Sequence, residues 1–338
     1  MQKKLNILLI LIGLGIIYYF VNNFGLENIW YNIRLSGWQL FNVLGIWAVI
    51  YLLNSYVLKI ILGSEYKKIG FAKLYSITIS SYAINFITPF VSLGGEPYKI
   101  YRLQKKIDTK TAVSSTVLYA MLHMLAHTFF WVLGVFIAFG FVGDSLPTKI
   151  LLGVILIVVV FLIWFFFSRH KKGVLKSASR LIAKLKFLKS LNAKILNHKE
   201  KIDEIDFEII ELYTKRKKDF WTGLIIEFIA RVLSSLEIYF IMAAIGISFS
   251  VWDAVYVTAA FTLMMNIIFF IPMELGTRES SLYLLVNGLS SVIGAGIFVA
   301  VVSRIREVFW IIVGIVLIQI SGNKFSFFNS VKEKKNGS

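Results

Sequence analysis

Long stretches of this chain contain almost no charged residue, and this feature limits most strongly what it can fold into. Leu5–Val21 holds 17 residues without a charge, and comparable apolar blocks recur as far as residue 320. A helix of about 20 apolar residues crosses the ~30 Å hydrocarbon layer of a bilayer. Only 16% of the residues are charged, against about 25% in an ordinary soluble domain. We therefore expect an all-α, polytopic integral membrane helical bundle, not a soluble, fibrous or disordered protein.

The positions of basic residues predict how the chain crosses the membrane, because lysine and arginine collect in cytoplasmic loops. Residues 1–321 form the predicted membrane domain. About six full spans are expected, near 5–21, 38–62, 112–142, 150–167, 220–246 and 305–320. Both termini are then cytoplasmic, and we expect the protein in a bacterial cytoplasmic (inner) membrane.

Two further apolar segments do not fit simple crossings. Segment 72–98 has lysine-rich sequence on both sides, which one crossing cannot satisfy. We predict a re-entrant helix pair there, broken near Pro89 and Gly94-Gly95, because irregular backbone at that depth is tolerated when it is buried in protein or lines a cavity. Segment 253–302 is either a second re-entrant pair or two crossings, and charge does not choose between them.

The net charge of +17 has its main source in one predicted cytoplasmic loop, residues 169–219, which carries 15 of the 36 Lys+Arg residues. Residues 169–199 contain ten basic side chains and no acidic one. The pattern predicts an amphipathic helix that binds an anionic membrane surface. Residues 322–338 form a basic cytoplasmic tail, and the basic excess indicates topology, not a nucleic-acid partner.

The chain has no cysteine, which excludes disulfides, thiolate metal sites and cysteine nucleophiles. His123 and His127 are four residues apart and could present two ligands on one helix face. No third ligand is evident, so we predict a polar helix contact for this pair, with no metal and no cofactor.

Two places in the chain resemble each other. In each, an Asn on an apolar helix is followed by a Pro, a Leu-Gly pair and then a Glu seven residues after the Pro: Asn85…Pro89…Gly94…Glu96 and Asn266…Pro272…Gly276…Glu279. These places hold two of the chain's four prolines. Paired Pro/Gly-broken segments in two halves of a chain are typical of a transport site near the bilayer midplane. The similarity of these two stretches predicts that the two halves of the chain are inverted repeats, and it favours the re-entrant interpretation of 253–302.

The same residues carry a family resemblance. The stretch from Pro89 through Gly94-Gly95-Glu96 to Arg102 resembles the first motif of the lysylphosphatidylglycerol synthase transmembrane family, the flippase-like membrane region of the bacterial multiple peptide resistance factor. The stretch from Pro272 to Glu279 resembles the second motif, although Met273-Glu274 replaces two glycines usual there. The resemblance spans about residues 5–321 and implies a stand-alone form without the aminoacyl-transfer domain. It therefore implies lipid handling, with a phospholipid or lipid-linked substrate, and not lysyl transfer.

Charged side chains within apolar segments face the protein interior, because an ionised group at mid-membrane costs about 2.5–3.5 kcal/mol on insertion scales. Glu227 and Arg231 share a helix face and are expected to pair. We predict that a polar cavity between the breaks holds the lipid headgroup, with arginines on the phosphate because the guanidinium fork matches its oxygens. The predicted substrate-binding residues are Asn85, Pro89, Gly94, Gly95, Glu96, Arg102, Glu227, Arg231, Asn266, Pro272, Gly276, Arg278, Glu279 and Arg304.

The leading functional hypothesis is a flippase or scramblase-like protein that translocates an anionic, aminoacylated or lipid-linked headgroup. One alternative is a membrane-embedded transferase on lipid-linked substrates. The other is a scaffold that recruits a cytosolic lipid-modifying enzyme through the basic loop. No nucleophile–base pair or metal motif supports catalysis, and a homodimer is compatible with the sequence.

Overall fold

The computed structural model describes residue 22 and residues 25–88, 94–141, 145–169, 199–268, 277–290, 292 and 294–320. Within these ranges the secondary structure is helical and contains no strand, which confirms the all-α prediction. The α-helices in chain order are α1 (Leu26–Ser36), α2 (Gln39–Leu62), α3 (Phe71–Ile87), α4 (Gly95–Leu103), α5 (Thr109–Phe141), α6 (Leu146–Arg169), α7 (Lys199–Thr214), α8 (Lys217–Ser234), α9 (Leu236–Ala244), α10 (Val251–Ile267), α11 (Thr277–Asn287) and α12 (Ala295–Ile320). The predicted span 5–21, the basic stretch 170–198 and the tail 322–338 lie outside the described residues.

Three helical segments are long and apolar enough to cross a membrane: Gln39–Lys68, Thr109–Phe141 and Leu146–Ser168. They correspond to the predicted spans at 38–62, 112–142 and 150–167. In the third, only 6% of the most apolar window is buried inside the protein. This helix therefore presents an apolar outer surface, as a helix in contact with lipid does.

Two boundaries differ from the sequence prediction. The segment 220–246 is divided into α8 and α9 by a turn at Ser235. In contrast, α12 is one helix across the predicted boundary between 302 and 305. Arg306 and Glu307 are buried in this helix and form ion pairs within the bundle, so their charges do not require a loop.

Two helix pairs are separated by short breaks. We call α3 with α4 the first broken unit, and α10 with α11 the second. At 1.5 Å per residue, the nine residues of α4 and the eleven of α11 extend about 14 and 17 Å. Neither helix alone is long enough for the ~30 Å hydrocarbon layer.

One hydrophobic cluster contains residues from both the start of α3 and the end of α4 in the first broken unit. It contains Leu74 near the start of α3 and Leu103 at the end of α4, together with Ile61 from the C-terminal end of α2. The starts of the helices that lead away, α5 and α8, contribute Ala112 and Phe220. The start of α3 and the end of α4 therefore share one hydrophobic cluster.

A second hydrophobic cluster contains residues from the start of α10 and the end of α11 in the second broken unit. It contains Ala254 from the start of α10 and Val286 from the end of α11, with Val43 from the N-terminal end of α2. Met242 near the end of α9 and Ala295 at the start of α12 also belong to this cluster. The two clusters therefore use opposite ends of α2, its C-terminal end in the first and its N-terminal end in the second.

The two broken units are also packed reciprocally. The first helix of each unit lies against the long helix that follows the other unit, so α3 packs on α12 and α10 packs on α5. Each contact places a glycine of the long helix against an alanine of the broken one, Gly314 against Ala83 and Gly134 against Ala259. A Cβ atom on either glycine would collide with the alanine Cβ. The small residues thus allow close backbone approach at both interfaces.

The N-terminus of α5 is capped by a side chain. The backbone N–H of Thr111 donates to Oδ1 of Asp108 at 2.9 Å. This satisfies one of the donors that the first helical turn leaves open. The hydrogen bonds from Thr111 hold the pKa of the Asp108 carboxyl below its ordinary value. The cap fixes where α5 begins, directly after the first broken unit.

Candidate functional site

Two hydrogen bonds to the backbone of Gly95 join the two helices of the first broken unit. The N–H of Gly95 donates to Oδ1 of Asn85 at 2.6 Å, and its carbonyl accepts from Oγ of Ser81 at 2.7 Å. A Cβ at position 95 would collide with the Ser81 carbonyl oxygen, and a Cβ at position 94 would strike Thr88. The predicted residues Asn85, Gly94 and Gly95 thus meet at the break, while Pro89 lies outside the described residues.

A buried lysine stands beside this break. The ammonium of Lys99, with its side chain only 2% exposed, donates to both carboxylate oxygens of Glu96 at 3.1–3.2 Å. It also lies 4.0 Å from the ring centroid of Tyr119 on α5, a cation–π contact. Arg102, one turn further along α4, is buried, and its guanidinium is 5.8 Å from the Tyr98 ring. Three charges therefore gather on this short helix.

A fully buried carboxylate, Glu227, lies between α2, α5 and α8. Its Oε2 is 2.7 Å from Nδ1 of His123, and the amide of Asn54 donates to both of its oxygens at 2.9 and 3.1 Å. Nη2 of Arg231 lies 3.4 Å from Nε2 of the same histidine. The expected pairing of Glu227 with Arg231 therefore takes a different form, because His123 stands between the two charges.

Ion pairs tie the second broken unit to α12. Arg278 pairs with Glu307 in the buried interior. Glu279 accepts from Nε of Arg304 at 3.2 Å, and Nη1 of Arg304 reaches Glu307 at 3.1 Å. Arg278, Glu279 and Arg304 are thus brought together with Glu307 in one cluster of ion pairs.

A second set of contacts extends this cluster to α9 and α2. Arg306 donates through Nε and Nη2 to Glu237 at 3.0–3.1 Å, and the indole N–H of Trp47 donates to the same carboxylate at 2.7 Å. The guanidinium of Arg306 also lies 4.0 Å from the ring centroid of Trp47. Every charge in this set is compensated by a partner on a different helix.

Aromatic side chains connect the charges near the first break with those near the second. The hydroxyls of Tyr119 and Tyr82 are 3.1 Å apart, and the Tyr82 ring lies 5.1 Å from that of Tyr51. Tyr51 in turn meets Trp310 of α12 edge-on at 5.0 Å. The Tyr51 hydroxyl and the Trp310 indole N–H are buried without a hydrogen-bond partner among the described residues.

A second asparagine–glycine contact joins α11 to α12, where Oδ1 of Asn287 accepts from the N–H of Gly296 at 3.1 Å. Asn266 is exposed at the end of α10 and donates to the carbonyl of Thr262 in its own helix. The assignment of Asn266 to the substrate site stays a prediction. Pro272 and Gly276 lie outside the described residues.

The comparison with protein families finds one matching family model, described as the lysylphosphatidylglycerol synthase TM region, over residues 6–315. The chain belongs to this family. No curated protein and no solved structure matches it. Family membership, together with its apolar helices, identifies a membrane protein with a lipid-related function.

Several polar residues of the cluster were not among the predicted site residues. They are the buried Asn54, Lys99, Glu237, Arg306 and Glu307, and the half-buried His123. Except for Lys99 on the short α4, each is a polar or charged side chain within an apolar helix, which is the signal that selected Glu227 and Arg231. Helical spacing within one segment does not reveal partners on other helices, so the contacts of these residues were not predicted.

Proposed function

We propose that this protein translocates polar lipid headgroups between the two leaflets of a membrane, through the charged cluster that lies between its two broken units. The observation that carries the proposal is the buried set of ionisable residues shared by helices that are otherwise apolar. Such residues are costly in a bilayer and typically mark a substrate or ion route. Family membership supports a lipid as the substrate.

The proposed route uses the reciprocal arrangement of the helices. We propose that both broken units are re-entrant, that they enter from opposite faces, and that both termini are cytoplasmic. A headgroup would then reach Glu96 and Lys99 from one face and Arg278 and Glu279 from the other. Its acyl chains would stay in lipid, beside apolar surfaces such as that of α6.

Arginine–carboxylate pairs can bind the phosphate of a lipid headgroup as it crosses. The phosphate replaces the carboxylate, so the charge of the guanidinium stays compensated. Arg304 already bonds two carboxylates, Glu279 and Glu307, so it can release one and keep the other. Arg231 is the first candidate for holding the phosphate. Its Nε is buried without a hydrogen-bond partner among the described residues, and its Nη2 makes a long bond to His123.

The test is lipid translocation in vesicles that contain the purified protein and a trace fluorescent phospholipid, with external quenching as the readout. A charge-assisted hydrogen bond contributes about 1.5–3 kcal/mol, so Arg231→Gln should slow translocation about ten- to hundredfold. The matched control is Arg34→Gln, which removes an exposed arginine on α1. Equal rates for wild type and Arg231→Gln, or a wild-type rate no higher than that of protein-free vesicles, would contradict the proposal.

A further inference from the structure

Four ring side chains form a stripe along α5. Tyr119, His123, His127 and Trp131 occur at intervals of four residues, which places them on one helix face. Consecutive ring centroids lie 5.7, 5.1 and 5.8 Å apart. The stripe is therefore a continuous column of polar rings, about 18 Å long at 1.5 Å per residue.

The column joins the two broken units. At one end, Lys99 of the first unit lies over the Tyr119 ring. At the other end, the indole N–H of Trp131 donates to Oγ1 of Thr262 on α10 at 3.2 Å. A group that changes its charge in this column is thus placed to affect both units.

The contacts of His123 determine its resting tautomer. An arginine can only donate hydrogen bonds, so Nε2 of His123 must accept from Arg231 and carry no proton. Nδ1 then bears the ring proton and donates it to Glu227. The neutral ring is satisfied at both nitrogens, and a second proton can bind only at Nε2. That requires Arg231 to move away from the ring.

His127 offers a neighbouring acceptor for a proton. Its Nδ1 is buried without a hydrogen-bond partner among the described residues, and its ring meets that of His123 at 5.1 Å. The His123 side chain is 21% exposed, whereas Glu227 is fully buried. Protons can therefore reach His123 more readily than the carboxylate. The titratable and charged groups that face the pair are Glu227 and Arg231 from α8, Lys99 from α4 and Tyr82 from α3.

We propose that His123 and His127 form a proton-binding site, and that one proton binds at Nε2 of His123 each time Arg231 turns from the imidazole to a lipid phosphate. The proton comes from water on one side of the membrane, and it is released to water on the other side when Arg231 returns. An N–H bond forms and later breaks, and no other bond changes. The coupling to lipid rests on the proposed function, but proton binding by the histidines does not.

Proton movement is tested first, in vesicles that contain wild-type protein and a trapped pH-sensitive dye, with potassium and valinomycin to balance charge. The interior of vesicles that contain the wild-type protein should acidify at least about tenfold faster than the interior of protein-free vesicles. A tenfold change is of the size usual for coupling between two sites of a protein. His123→Gln and His127→Gln, which keep a polar side chain, should fall to the protein-free rate. Thr128→Val should behave as wild type, because within the described residues the Thr128 hydroxyl bonds to the Met124 carbonyl of its own helix.

Coupling is tested by the distribution of a trace fluorescent phospholipid between leaflets, with and without a pH gradient. For one proton per lipid, a gradient of about one pH unit should shift the wild-type distribution about tenfold. His123→Gln should show no shift, and Thr128→Val should show the full one. A wild-type distribution that ignores the gradient, or the same shift in both histidine variants, overturns the inference.

The two proposals can fail separately. Lipid translocation that does not respond to the gradient leaves the proposed function intact and overturns the proton site. Histidine-dependent acidification without lipid translocation supports the histidine proton site, but it contradicts both the coupling to lipid and the proposed function. The response of lipid translocation to the pH gradient is measured on the wild-type protein alone, so this test can be made even if a histidine variant does not fold.

Discussion

Removing the charge of Glu237 should destabilise the protein strongly, because it would leave Arg306 buried without its main partner. The two side chains are 7% and 2% exposed. Arg306 directs Nε and Nη2 at Glu237, and Trp47 donates to the same carboxylate. The pair joins α9 to α12, and Trp47 extends it to α2.

The expected magnitude follows from this burial. Breaking a buried ion pair by removing one partner costs about 3–5 kcal/mol, because the remaining charge is not compensated. Glu307 lies 3.9 Å from Arg306 and still attracts it. We therefore expect about 3 kcal/mol, the lower end of that range, for Glu237→Gln. The double variant Glu237→Gln/Arg306→Gln should cost less than the sum of the single variants, by about 1–3 kcal/mol.

The free energy of unfolding is measured by reversible unfolding in detergent mixtures, followed through tryptophan fluorescence and helical circular dichroism. Glu65→Gln is the matched control, since Glu65 pairs with the exposed Lys68 and such surface pairs contribute about 0–1 kcal/mol. A Glu237→Gln cost that equals that of Glu65→Gln would refute the reasoning. So would additive single-variant costs in the double variant.

Three further predictions follow from the packing. Gly134→Val and Gly314→Val should each lower the unfolding temperature or abolish folding, because overpacking costs about 1–3 kcal/mol or more; thermal unfolding measures this, and unchanged stability would contradict the reciprocal glycine–alanine packing. Asn85→Ala and Asn287→Ala should each lose one side-chain hydrogen bond to a glycine N–H and cost about 1–3 kcal/mol, which the same unfolding assay measures. Asp108→Ala should cost about 1 kcal/mol at neutral pH as a lost helix cap. Because the pKa of Asp108 is lowered, its carboxylate stabilises the fold above its ordinary pKa. That contribution should fade as the pH falls through the lowered value, so a wild-type–variant difference that is unchanged in acid would contradict the cap.

The helical class and several spans could be predicted because they depend on local properties. Apolar blocks near 38–62, 112–142 and 150–167 match the three long apolar helices, since hydrocarbon thickness sets their length. The glycines at 94 and 95 could be identified for a similar local reason, as residues that allow close backbone approach. The charges of Glu227 and Arg231 also stand out within one apolar segment.

The partners of those charges were decided by the tertiary structure. Glu227 bonds to a histidine 104 residues away and to an asparagine 173 residues away, and Asn287 bonds to Gly296 across the junction of α11 and α12. Apolar periodicity tells which face of a helix is buried, but the rotation, tilt and axial position of a helix against its neighbours select the bond that forms. Those variables depend on packing such as that of Gly134 and Gly314, which involves residues distant in sequence. For this reason the chain alone determined a membrane bundle with two breaks, and only the assembled helices determined the charged cluster between them.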